Sequence, residues 1–82
     1  MPVVLRVKGY KFGFYEADLD EPPHLHVSKQ GKQAKYWLDP LKVARGGDFR
    51  PAGLREIERI IEDNLNFLLD AWEKEKSKRV NG

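Results

Sequence analysis

The chain has 82 residues, with 15 basic and 13 acidic side chains for a net charge of +2, and no cysteine. That length is one domain rather than two, and the missing thiols exclude a disulfide framework and a thiolate metal site. The charge excess is too small to single out a nucleic-acid binder by itself, and no apolar run approaches the roughly 20 residues that span a bilayer.

Met1–Arg6 lacks the charged segment and long apolar run of a secretory signal. A cytoplasmic protein with no membrane partner is therefore predicted. In Val3–Lys8, Val3, Leu5 and Val7 alternate with Val4, Arg6 and Lys8, the period-2 pattern of a half-buried strand. After Gly9 the alternation resumes with Tyr10, Phe12 and Phe14 against Lys11, Gly13 and Tyr15. Aromatic and β-branched residues suit a pleated, half-covered surface.

Residues 16–23 read as a loop, because acidic residues and the Pro22-Pro23 pair break any regular pattern. Glu16, Asp18, Asp20 and Glu21 do not have the spacing of a calcium loop, and a solvated loop is the simpler reading. His24–Ser28 reads as a third strand, Lys29–Lys32 as a glycine-containing turn, and Ala34–Leu38 as a fourth strand ended by Asp39-Pro40. Leu41–Ala44 reads as a short fifth piece.

Pro51 suits a first helical position. Phe49 and Leu54 occupy the positions of a hydrophobic staple, while Arg50 is a poor N-cap. One amphipathic helix is predicted over 51–76, with a frayed basic tail over 77–82. Leu54, Ile57, Ile60, Ile61, Leu65, Phe67, Leu68, Leu69, Ala71 and Trp72 fill an arc of roughly 200° at helical spacing. That arc is wider than one sheet face needs. Either the sheet curls around it, or Ile57, Ile61, Leu68 and Trp72 form an interface with a second subunit or a partner protein. Asn64 falls inside the arc, and a buried amide there needs partners, on a strand end or loop carbonyl or across a subunit interface.

The predicted architecture is thus one α+β domain over 1–82. An antiparallel sheet of four or five strands over 2–45 is followed by one long C-terminal helix packed on it.

His24 and His26, the chain's two histidines, sit two apart on a strand and so share a face, with Leu25 and Val27 on the other. Leu25 and Val27 are expected to meet the helix, leaving both imidazoles on the open face. Three readings stay open there. With Glu21, Asp20 or Glu16 as third ligand the pair could hold a metal, it could move protons or contact phosphate, or it could be purely structural. No metal or cofactor is assigned. The same alternation places Arg6, Lys8, Lys11, Tyr15, Lys35 and Trp37 beside the histidines. Cations interleaved with aromatics suit RNA or DNA phosphate and bases, and a solvated sheet face would look similar. In a nuclease, His24 or His26 would be the general acid or base, Lys11 or Lys35 the electrostatic stabiliser, and Glu21 the group orienting a histidine. No P-loop, GxGxxG or cysteine nucleophile is present. Ser28 and Ser77, the only serines, lie outside any nucleophile elbow. A serine hydrolase, kinase or dehydrogenase is excluded on these grounds.

Taken together, Phe12-Gly13-Phe14-Tyr15, Glu21-Pro22-Pro23-His24-Leu25-His26-Val27, Ala34–Leu38 and the leucine-rich stretch Leu54–Trp72 carry a resemblance across nearly the whole chain. The sequence resembles a family of small bacterial proteins catalogued as a domain of unknown function. Such proteins often form half of a two-gene module, so the resemblance implies a toxin–antitoxin or regulatory pair and a partner encoded by a neighbouring gene. A looser similarity, to single-histidine RNA-cleaving toxins of the HicA type, is one of fold alone, since their leading helix and Gly-Ser-His motif are missing here.

Overall fold

A computed structural model describes residues 3–15 and 19–81, with side chains through Lys78. Five strands, β1 (Val3–Val7), β2 (Tyr10–Gly13), β3 (His24–Lys29), β4 (Lys32–Leu38) and β5 (Leu41–Arg45), form one antiparallel meander in the order β1-β2-β3-β4-β5. Two helices follow, α1 (Pro51–Asp63) and α2 (Leu65–Asn81). The class is α+β, as the periodicities predict.

The turns explain the meander. Lys8 and Gly9 have φ of 52° and 84°, and Gln30 and Gly31 have 50° and 80°. Two-residue hairpins of type I′ need positive φ at both central positions, and glycine supplies one of them without strain. Pro23 has no N–H to donate, but its carbonyl accepts from the Leu38 amide at 2.9 Å. The ladder between β3 and β4 therefore extends one step past β3.

The inner face is apolar. Phe12, Leu25, Val27 and Tyr36 are fully buried, and Ile57, Ile60 and Ile61 of α1 pack into the same core. Each such side chain contributes about 1.5–3 kcal/mol on burial. The Tyr36 hydroxyl donates to Glu58 Oε2 at 3.1 Å and lies 3.3 Å from the Leu54 carbonyl, tying α1 to the centre of the sheet. Burial, reinforced by Glu58, pushes this phenol well above its ordinary range. Leu19, in the loop before β3, joins the core unforeseen by any periodicity. Glu16 and Asp18 of that loop lie outside the described residues.

The single long helix is corrected to two. Asn64 has φ −124° and ψ 17°, and its side-chain amide donates to the Ile60 carbonyl at 2.8 Å. An Asn that bonds its own backbone competes with the helical ladder. The amide is thus satisfied within α1, not on a strand end or loop. The wide arc resolves into two narrower faces, Ile57, Ile60 and Ile61 on α1 and Leu68 and Trp72 on α2. Ile57, Ile61, Leu68 and Trp72 are at most 1 % exposed, so the interface read onto these four is the chain's own core. Arg50 makes no side-chain cap, as expected, and Pro51 opens α1. Helix α2 continues to Asn81, with Lys74 paired to Asp70 at 3.0 Å and Lys78 to Glu75 at 3.3 Å.

Candidate functional site

The outer face is built by strand register. Side chains directly opposite one another on paired strands share a face. One outward row runs Arg6, Lys11, Ser28, Gln33 across β1 to β4, and a second runs Gly13, His26, Lys35, Arg45 across β2 to β5. A third joins His24, Trp37 and Lys42. No strand contains Asp or Glu, so the strands themselves place only cations and neutral groups on this surface.

His26 lies at its centre, partly exposed. Gly13 opposite it carries no side chain, which leaves the space beside the imidazole to Tyr15. The Tyr15 ring is 41 % exposed and meets His26 edge-to-face, with centroids 4.6 Å apart. Two hollows flank His26 and share it together with Gln33. One, of about 280 Å³, is also bordered by Val3, Lys11, Tyr15 and Ser28. The other, of about 270 Å³, is also bordered by Lys35 and Arg45. The Lys35 ammonium stands 4.7 Å over the Trp37 ring and 3.6 Å from the Glu21 carboxylate.

His24 departs from the expected exposed pair. It shares the face of His26, with rings 5.5 Å apart, yet its surface is fully covered. Trp72 of α2 reaches the start of β3 and packs 5.1 Å from the His24 ring, with Trp37 at 5.3 Å on another side. The His24 Nδ1 lies 2.9 Å from the Pro22 carbonyl. A carbonyl only accepts, so Nδ1 carries the proton and donates. A backbone carbonyl therefore helps to orient this histidine, and Glu21 pairs with Lys35. Pro22 and Pro23 hold that carbonyl in place because their φ angles are fixed by the rings.

Lys8 is a second correction. It sits in the β1–β2 turn at positive φ, and its ammonium is 4.0 Å from Glu56 of α1, which puts it on the helix side. Arg6, Lys11, Tyr15, Lys35 and Trp37 do gather on the outer face with His26. Ser28, Gln33, Lys42 and Arg45 join them without having been singled out. Alternation alone would have found Lys42. Arg45 is placed by a register shift in β5, between the partners of Lys35 and Tyr36, which period-2 counting misses.

Among the described residues no group of three His, Cys, Asp or Glu side chains could hold a metal ion, so His24, His26 and Glu21 do not converge as a ligand set. No helix there is long and apolar enough to cross a membrane.

A family model described as a domain of unknown function matches residues 9–73. No curated protein and no solved structure matches the chain.

Proposed function

The chain belongs to that family of domains of unknown function, DUF4160, and from this premise we propose that it binds nucleic-acid phosphate through the outer sheet face centred on His26. The observation that carries this reading is the charge of that face. Arg6, Lys11, Lys35, Lys42 and Arg45 project from four of the five strands around a partly exposed imidazole, and no strand carboxylate neutralises them. Cations at fixed spacing neutralise successive phosphates and release counterions, which drives association independently of sequence. Glu21 competes for Lys35 and is exchanged for a phosphate on binding. Such an activity fits the regulatory or toxic half of a cytoplasmic two-gene bacterial module, with the neighbouring gene supplying a partner protein that masks the face.

Fluorescence anisotropy with a labelled single-stranded oligonucleotide tests this. The Lys35→Gln/Arg45→Gln double variant is expected to weaken binding and to flatten its dependence on salt by about one unit of log–log slope or more. Unchanged affinity in a folded double variant removes the reading.

Strand scission is a second reading, favoured by the position of His26 between the two hollows and directly opposite Lys35. There His26 moves the proton and Lys35 stabilises the developing phosphorane charge. Gel analysis of RNA after long incubation separates the two. Fragments that disappear with His26→Ala support scission, and intact RNA leaves binding alone.

A further inference from the structure

The two hollows differ in chemistry, and the difference points to what kind of strand lies across them. The hollow bordered by Lys35 and Arg45 offers two cations and the Gln33 amide. The hollow bordered by Tyr15, Lys11 and Ser28 adds a half-exposed aromatic ring to hydroxyl, amide and ammonium groups. Each volume lies below the roughly 300–1,000 Å³ of sites that hold a whole small ligand. Each therefore fits one part of a larger ligand, and they meet at His26 and Gln33.

Resting on the phosphate-binding reading above, we infer that the face selects single-stranded nucleic acid, with an unpaired base lying against Tyr15, its edge toward Ser28 and Gln33, and the adjoining phosphate between Lys35 and Arg45. A base inside a duplex presents its neighbours, not its π-face, so an aromatic ring beside a sheet surface has nothing to stack on there. Gly13 is part of the device. It faces His26 across the β2–β3 pair and brings no side chain of its own to that position. The Glu21–Lys35 pair lies at the phosphate end and leaves the base end untouched.

Three probes of equal length test this by anisotropy: a single strand, its duplex, and a single strand made abasic at every position. The single strand is expected to bind at least about tenfold more tightly than either of the others, a difference of about 1.4 kcal/mol. Tyr15→Ala is expected to lose roughly five- to a hundredfold on the base-bearing strand. That penalty vanishes on the abasic strand, and Tyr15→Phe, which keeps the ring, restores affinity. Equal binding of the three probes by the unaltered protein would overturn the inference while leaving phosphate binding intact, and this comparison needs no variant to fold. Salt-insensitive or absent binding to all three would overturn both.

Discussion

Tyr36 shows how one side chain can join two layers. Its ring is sealed in the core while its hydroxyl reaches Glu58 and the Leu54 carbonyl of α1. Because burial raises the folded-state value above the ordinary 10.0, the neutral phenol is favoured in the native state. A raised value contributes stability that is fully present below the unfolded-state value and is lost as pH climbs from there toward the folded one. Tyr36→Phe is expected to lower stability by about 1.5 kcal/mol near neutral pH, the worth of a hydrogen bond to a charged acceptor. The gap should narrow above pH 10, where the unfolded protein's Tyr36 ionises. Denaturant titrations of both proteins at a series of pH values measure this, and a gap that stays constant through alkaline pH would refute it. His24 carries a different lesson. Strand alternation places it on the outer face correctly, but what covers it comes from a residue 48 positions away in sequence.

The decisive element is α2. Its N-terminal half supplies Leu68 and Trp72 to the core, and its C-terminal half runs on as a charged helix with local ion pairs. Trp72 is seated between Phe14, which it meets edge-to-face at 5.1 Å, and His24. It thus holds the end of β2 and the start of β3 together, and with them the two ends of the acidic loop. Trp72→Ala is expected to cost about 3–5 kcal/mol, the range for deleting a buried aromatic. Thermal unfolding followed by circular dichroism reads this directly. A loss under 1 kcal/mol would mean that α2 docks without its tryptophan. The helical ladder is broken between α1 and α2 at Asn64, whose φ of −124° and ψ of 17° lie outside the helical range.

Over the whole molecule, charge is unevenly placed. Arg6, Lys11, Lys35, Lys42 and Arg45 lie on the outer face of the sheet, Lys29 and Lys32 border the helix side with Phe49 and Arg50, and α1 and α2 carry acids interleaved with bases, including Arg55 and Arg59 near Lys8, Glu56 and Asp63. A net charge of +2 hides that arrangement. If the outer face is the phosphate-binding surface, Arg55→Gln/Arg59→Gln is expected to change oligonucleotide affinity by less than about twofold, although it removes as much charge as Lys35→Gln/Arg45→Gln. Equal losses from the two double variants, measured at the same salt concentration, would mean that total charge rather than the face is being read. The described residues extend over 40 × 22 × 20 Å.

Local rules were enough for the strands and for most of the inner face, but not for the break between α1 and α2 or for Leu19. Period-2 alternation identified Tyr10, Phe12, Leu25, Val27, Ala34, Tyr36 and Leu38 as core, and glycine marked the breaks after β1 and after β3, because these depend on near neighbours along the chain. Tertiary structure alone decided the rest. The burial of His24 under Trp72, the pairing of Glu21 with Lys35, the turn of Lys8 toward α1 and the recruitment of Arg45 all depend on strand register or on contacts between segments distant in sequence. Register and these contacts come from packing between distant segments, and hydrophobic periodicity carries no information about which distant segment will arrive.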